Sequence, residues 1–364
     1  MEAHLYEPIY LALIMLLSGW IGFRHIFSSD YSLQEKGSRF FLPMVICIAL
    51  VFWIGYRPIS YQFGDTVGYA LEYRMLQIRN VRMDWSREWL WQWLMVGCKA
   101  AGLSVEVFFT IVAGGYILSA LWAVKRLMPR NPLLGTLFVL SSLMFFTFSV
   151  NGLRNGLACH LVLLAITFLL DDKYVVGGIL CLVAFGIHRS TLLPIAATLA
   201  GLFFIRDVRY SIIFWAASIL ISLLVGDTVS GFFASLGFDD RMTTYTTAKG
   251  IDMGQFSRTG FRWDFLLYSS GPVLMAWYIC IRREIRDNWY DVICTAYCLC
   301  NAFWLMVIRS AYSNRFAYLS WFLYPIVIAY PLINLPVWED QDKKTGWILL
   351  AYSSFSAFML AFVW

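Results

Sequence analysis

The side chains best suited to chemistry in this sequence are arginines that lie where long apolar runs end, as at Arg57, Arg154 and Arg315. The planar guanidinium holds a phosphate through two parallel hydrogen bonds, which the ammonium of lysine does not do. The pattern therefore predicts an anionic, phosphate-bearing ligand at the level where these runs end. Contact with anionic lipid headgroups, together with salt bridges to surface acids, is the alternative interpretation.

Arg154 stands out among them because it lies at the predicted start of an apolar helix, in the segment Asn-Gly-Leu-Arg-Asn of residues 151–155. A guanidinium that enters such a helix is costly unless it is paired or bound to an anion. The partial positive charge of a helix N-terminus acts on the same anion. The segment therefore predicts a phosphate-binding site. An arginine that snorkels to the membrane interface is the alternative.

A histidine and an aspartate offer proton transfer near these arginines. His188, in the polar segment 188–190 between two short apolar runs, can act as a base or as a hydrogen-bond donor to a pyrophosphate leaving group. Asp65 lies a few residues beyond Arg57 and can deprotonate a sugar hydroxyl if it lines the same cleft. The alternatives are a hydrogen-bonded structural histidine and an aspartate that caps a turn or pairs with an arginine.

Motifs of soluble enzymes and of metal sites are missing from the sequence. It contains no G-x-G-x-x-G after a strand, no P-loop, no G-x-S-x-G and no H-E-x-x-H. The eight cysteines lie in apolar stretches without zinc spacing, so we interpret them as small buried side chains. The Asp-Gln-Asp of residues 340–342 has the spacing of a carboxylate pair for a metal-bound nucleotide, but it lies in a short polar loop. We therefore expect neither a metal nor another cofactor.

The elements that must position these residues are membrane helices. Only 14% of the 364 residues are charged and 60% are hydrophobic, whereas about 25% of an ordinary soluble domain is charged. Apolar runs of about 20 residues, long enough to cross a hydrocarbon core of about 30 Å, recur along the chain. This composition excludes a soluble globular enzyme. It predicts one all-α polytopic membrane domain over residues 1–364, with about twelve transmembrane helices at 9–23, 40–56, 105–124, 133–150, 156–170, 174–187, 191–205, 210–226, 263–281, 292–308, 316–333 and 346–364.

Several of these spans are shorter than a full crossing, notably 174–187 and 191–205, which are joined by the polar residues 188–190. Short interrupted helices at a polar joint are typical of re-entrant or interfacial helices that line a cavity. The cleft that would hold the ligand is therefore expected at this joint.

The distribution of basic residues predicts which side of the membrane carries the ligand site. Five of the seven lysines fall in loops on one side, at Lys36, Lys125, Lys173, Lys343 and Lys344, which the positive-inside rule assigns to the cytoplasm. The opposite, outer side holds twelve arginines and two long loops, 57–88 and 227–262. The net charge of +5 is spread over many short loops, which argues against a nucleic-acid partner.

A stripe of tryptophans begins near the end of the first of these loops. Trp85, Trp89 and Trp93 have i, i+4, i+8 spacing, which predicts a short helix over residues 85–101 with the three rings on one face. Such a face can stack on sugar rings. More often it anchors an interfacial helix among lipid headgroups.

At this point an ordered set of motifs resembles a known family, the EpsG-like branch of the Wzy-type polysaccharide polymerases. The motifs are Gly64-Asp65-Thr66 with Tyr69, Arg154-Asn155 with Leu157-Ala158, Phe185-x-x-His188-x-Ser190 followed by Leu193-Pro194, and Asn314-Arg315. The family commonly has glutamine where this chain has Asn155. The resemblance implies a bacterial inner-membrane enzyme of O-antigen, capsule or exopolysaccharide assembly, similar in fold to the C-type glycosyltransferases.

Such polymerases join oligosaccharide repeat units carried on undecaprenyl pyrophosphate at the periplasmic face, without a nucleotide sugar or a metal. The resemblance implies membrane lipids and lipid-linked donor and acceptor as ligands, with a chain-length regulator protein as a further partner. A flippase for the same lipid-linked oligosaccharide, an O-antigen ligase and a periplasmic acyltransferase are the alternatives. Against a flippase, the two halves of the sequence show no internal repeat.

Resemblance and residue chemistry together lead to one set of expected roles. Asp65 is the expected general base, while His188 positions the pyrophosphate or the acceptor. Arg57 orients Asp65 or binds phosphate. The remaining expected contacts to pyrophosphate or glycan come from Arg154, Arg258, Arg262, Arg315, Tyr69 and Asn155.

Overall fold

A computed structural model describes residues 1–27, 40–78, 84–85, 88–235, 261–309 and 313–362. Over these residues the chain is built from helices, joined by turns and short irregular segments. In chain order the α-helices are α1 (Tyr6–Phe27), α2 (Phe41–Gly55), α3 (Thr66–Met75), α4 (Trp89–Ala100), α5 (Val105–Leu127), α6 (Pro132–Leu140), α7 (Phe145–Val150), α8 (Leu153–Leu169), α9 (Tyr174–Ile187), α10 (Leu192–Phe203), α11 (Val208–Ser235), α12 (Trp263–Ala276), α13 (Asn288–Met306), α14 (Ser313–Trp321), α15 (Tyr324–Asn334) and α16 (Gln341–Phe362).

The helices group into two compact units, Met1–His188 with Ala329–Trp364, and Arg189–Ile328. In the first unit α5 is the central helix, because it packs against both α2 and α8 and buries residues along its whole length. Contacts at one end of this unit join the end of α5 to the end of α8: Arg126 donates to the Oδ2 of Asp171 at 2.9 Å. Lys173 lies 2.7 Å from the same oxygen, and these two cations lower the pKa of Asp171. We call this the Arg126 end.

The opposite end of the first unit gathers the end of α2, the starts of α5 and α8, and the whole of α3. Tyr73 of α3 donates to the carbonyl of Leu103, just before α5, at 2.9 Å. Lys99 donates to the carbonyls of Tyr73 and Arg74 at 2.9 and 2.8 Å, which caps the last turn of α3. We call this the Arg154 end, after the second residue of α8.

The predicted span 133–150 is not one helix but two, α6 and α7, separated at residues 141–144. Tyrosines from other helices accompany the break: Tyr10 donates to the carbonyl of Leu140 at 2.6 Å, and Tyr116 donates to that of Phe145 at 3.0 Å. A carbonyl released from a helix inside a membrane needs another donor. Leu140 ends α6, and the Tyr10 hydroxyl supplies a donor to its released carbonyl, which stabilises the break in an apolar setting.

The second unit is held by α11 and α10, both of which pack on α13. A polar link crosses its core at Asn301 of α13, which is fully buried. Its Oδ1 accepts from the indole Nε1 of Trp215 at 2.7 Å, and its Nδ2 donates to the hydroxyl of Ser320 at 2.9 Å. One amide therefore connects α11, α13 and α14.

Six helices among the described residues are long and apolar enough to cross a membrane: Ala3–Phe27, Val105–Leu127, Val208–Gly226, Trp263–Arg282, Arg315–Asn334 and Gln341–Phe362. Four shorter apolar helices accompany them: Phe41–Gly55, Leu153–Leu169, Tyr174–Ile187 and Arg189–Phe203. The expected all-α membrane protein is thus confirmed over the described residues. The count of twelve spans and the likeness to C-type glycosyltransferases stay predictions.

Candidate active site

Arg154 is the second residue of α8, and two residues, Tyr69 and Glu88, contact its guanidinium. Its Nε donates to the hydroxyl of Tyr69 at 3.3 Å, and the guanidinium carbon lies 5.6 Å from the centre of that ring. Its Nη1 donates to the Oε2 of Glu88. The side chain is held by α3 on one side and by the start of α4 on the other.

Glu88 is shared between two cationic or titratable groups. Its second oxygen, Oε1, lies 2.5 Å from the Nδ1 of His188, the residue that directly follows α9. The side chains of Glu88, Arg154 and His188 are 21, 19 and 17% exposed, so a ligand can reach all three. Residues that are far apart in the sequence therefore meet in one partly open polar cluster, formed by Tyr69, Glu88, Arg154 and His188, which we call the Glu88 cluster.

Close packing of α4 on α9 brings Glu88 to His188. A Cβ at Gly186, two residues before the histidine, would lie 2.9 Å from side-chain atoms of Leu90 and Trp89. Only glycine lets the first turn of α4 approach this closely.

The helix predicted over residues 85–101 begins later in the structure, at Trp89. The residues that it buries are not the tryptophan stripe but Trp91, Met95 and Cys98.

A buried network beside the cluster fixes the start of α3 to the segment before α8. Arg57 is 1% exposed and donates to the Thr66 hydroxyl at 2.8 Å, to the Ile54 carbonyl at 2.9 Å and to the Val150 carbonyl at 3.4 Å. Thr66 itself donates to the Val150 carbonyl at 2.6 Å. The guanidinium also lies 4.6 Å from the ring centre of Phe109. Burial lowers the pKa of Arg57 to about 10, so the side chain stays charged at neutral pH.

Gly64 and Asp65 complete this junction. The backbone N–H of Asp65 donates to the Oδ1 of Asn151 at 3.1 Å. Gly64 has a φ of +55°, and a Cβ there would lie 2.6 Å from the Asn151 side chain, so both its conformation and its surroundings require glycine. Because α3 starts directly after this contact, the junction sets the place of Tyr69 against Arg154.

The structure brings some of the site residues predicted from the sequence together and places others outside the cluster. Arg154, Tyr69 and His188 meet in the Glu88 cluster. Asp65 lies half-buried at the junction, and Asn155 is buried one position after Arg154, where its Oδ1 accepts from the thiol of Cys159 at 3.2 Å.

Of the two roles predicted for Arg57, its buried bonds favour orientation of the Asp65 segment over direct phosphate binding. Arg262, in the other unit, makes a bidentate pair with Asp264 at 2.9 and 2.6 Å. Arg315 is partly exposed in α14, and Arg258 lies outside the described residues.

Sequence reasoning missed Glu88. The signal that could have found it is electrostatic: an arginine that enters an apolar helix needs an acid, and Glu88 immediately precedes the apolar helix α4. Several acids lie next to apolar runs, so the sequence alone could not single it out. In the part of the chain that the structure describes, no three His, Cys, Asp or Glu side chains are grouped to hold a metal ion.

A sequence model of the EpsG family matches residues 40–364 of the chain. The chain belongs to the EpsG family. The resemblance seen in the motifs is therefore confirmed, and it extends over nearly the whole protein. No curated protein and no solved structure matches this EpsG-family chain.

Membership has a coarse functional meaning. EpsG is a glycosyltransferase-like polymerase family. Membership in it suggests that this protein has a role of the polysaccharide polymerase type. The Glu88 cluster lies inside the matched range, as does the junction formed by Arg57, Gly64 and Asn151.

Proposed function

We propose that this protein is a polysaccharide polymerase of the bacterial inner membrane. It joins oligosaccharide repeat units carried on undecaprenyl pyrophosphate, by metal-independent glycosyl transfer at the periplasmic face. The observation that carries the proposal is the Glu88 cluster, in which Arg154 at a helix start and His188 share one carboxylate within an EpsG-family chain. A cation for the leaving group and a base for the acceptor are the two groups that such a transfer needs.

The reaction replaces one bond at the donor sugar by another. The bond between the anomeric carbon and the pyrophosphate oxygen breaks, and its electron pair leaves with the lipid pyrophosphate. The guanidinium of Arg154 stabilises that growing negative charge, and the partial positive charge at the N-terminus of α8 adds to this effect. An acceptor hydroxyl forms the new glycosidic bond and loses its proton to a base, for which Asp65 and His188 are the two candidates.

The remaining predicted residues belong to the same proposal with different roles. Arg258, Arg262 and Arg315 are proposed as further contacts to pyrophosphate or to the glycan. Arg262 would have to exchange its pair with Asp264 for the ligand. Tyr69 and Asn155 shape the donor site, the first by accepting a hydrogen bond from Arg154.

The test is the gel ladder of surface polysaccharide from a deletion strain of the source bacterium that carries either the wild-type gene or a variant. Arg154→Lys keeps the charge but not the fork, so we expect a loss of about 10²-fold or more in polymer beyond the first unit. Arg24→Lys is the matched control, because Arg24 is exposed and lies near the end of α1 that is remote from the Glu88 cluster. A normal ladder from an Arg154→Lys protein that is present in the membrane would overturn the role of Arg154.

The deletion strain itself separates the classes of protein. Loss of a polymerase leaves single repeat units on the outer surface, whereas loss of a flippase traps lipid-linked units in the cytoplasmic leaflet. Loss of a ligase leaves full-length polymer on its lipid carrier. An acyltransferase would change acylation without changing the ladder.

A further inference from the structure

The carboxylate of Glu88 connects the two groups to which the proposed reaction assigns opposite tasks. Oε1 lies 2.5 Å from the Nδ1 of His188, and Oε2 accepts from the Nη1 of Arg154. Neither residue is adjacent to Glu88 in sequence, and each comes from a different helix. Shared bonds of this kind fix the separation and orientation of the two side chains.

The bond to Glu88 also determines how His188 can react. An ionised carboxylate only accepts hydrogen bonds, so the Nδ1 of His188 must carry the proton and donate it. A neutral imidazole with its proton on Nδ1 carries its lone pair on Nε2, the nitrogen that can accept a proton. The His188 side chain is 17% exposed, so part of the imidazole is open to solvent.

We propose that Glu88 is a positioning residue that holds His188 in the form able to accept a proton at Nε2, while fixing Arg154 beside it. The inference rests on the proposed function and selects His188 over Asp65 as the base. The acceptor hydroxyl gives its proton to Nε2 of His188 as its oxygen bonds to the anomeric carbon. The bond to the pyrophosphate oxygen breaks at the same centre, and the leaving group departs with the electron pair.

The preference for His188 over Asp65 rests on a shared partner. Asp65 lies at the junction that orients α3, where its backbone N–H donates to Asn151. His188, by contrast, shares a carboxylate with the arginine that is proposed to hold the leaving group. One acid thus couples acceptor activation to donor binding.

The sharpest test is Glu88→Gln. Arg154 has only donors, so the amide oxygen turns to it and the amide NH2 faces His188. The imidazole must then accept at Nδ1 and carry its proton on Nε2, where it cannot act as a base. With lipid-linked repeat units isolated from the deletion strain as substrate, we expect kcat to fall by about 10²-fold or more, with KM changed less than about threefold.

Two further variants keep the test decisive. Glu72→Gln is the matched control, because Glu72 is an exposed acid on α3 whose charge also acts on Arg154. It should retain wild-type kcat. If Glu88→Gln does not fold, Glu88→Asp replaces it: the carboxylate is kept but drawn back from His188, so an intermediate kcat is expected. A wild-type kcat in whichever variant folds overturns the assignment.

Double substitution shows whether Glu88 acts through His188. In a His188→Ala background, Glu88→Gln should lower kcat little further, because the group that it positions is gone. Fully multiplicative losses would contradict the proposal. Failure of the wild-type protein to elongate the isolated units would instead refute the polymerase function itself, and this assignment with it.

Discussion

Arg57→Lys is expected to destabilise the protein although it preserves the charge. Arg57 is 1% exposed and its guanidinium bonds to Thr66, Ile54 and Val150. A lysine has one nitrogen on a different stem and cannot serve the hydroxyl and both carbonyls. Bonds to a charged group contribute about 1.5–3 kcal/mol each, so the loss of one or two amounts to about 3 kcal/mol. At about 2 °C per kcal/mol for a chain of this size, the apparent melting temperature should fall by about 6 °C.

In this measurement the protein is heated in detergent, and size-exclusion chromatography then gives the fraction that is still monodisperse at each temperature. Arg24→Lys makes the same chemical change at an exposed position and should melt within about 1 °C of the wild type. Because the junction orients α3, Arg57→Lys should also lower polymer formation at temperatures where the protein is still folded. If Arg57→Lys melts together with the control, the buried network does not hold the junction and the reasoning is refuted.

Two further substitutions test other parts of the structure. Gly186→Leu places a side chain where even a Cβ would lie 2.9 Å from Leu90 and Trp89, so α4 must move away from α9. Because Glu88 then leaves His188, kcat should fall about tenfold or more. A wild-type kcat in the folded variant would contradict this. Asn301→Leu removes the acceptor of Trp215 and the donor to Ser320, and should destabilise the protein by about 1–2 kcal/mol in the same heating assay. An unchanged melting temperature for Asn301→Leu would mean that the buried amide adds no stability.

The helices could be predicted from the sequence where local signals mark both of their ends. Helix α9 has the bounds expected for the span 174–187, because charged residues precede it and the polar segment 188–190 follows it. The break between α6 and α7 had no such signal, since residues 141–144 contain neither proline nor glycine. The carbonyl of Leu140, which ends α6, accepts from Tyr10, and the carbonyl of Phe145, which begins α7, accepts from Tyr116. Both tyrosines are distant in sequence, so the break depends on tertiary contacts.

The same distinction explains which site residues were found. Arg154 and His188 were identified by residue type at the end of an apolar run, which is a local property. Glu88 is defined by what it joins, because the approach of α4 to α9 at Gly186 makes it the partner of both. A search of the sequence for basic residues that could bind an anion also leaves acidic residues out of consideration. Yet an arginine without its ligand needs a counter-ion near a membrane, and the acid that supplies it must lie where the ligand binds. The counter-ion of a candidate phosphate-binding arginine is therefore a direct indicator of the site.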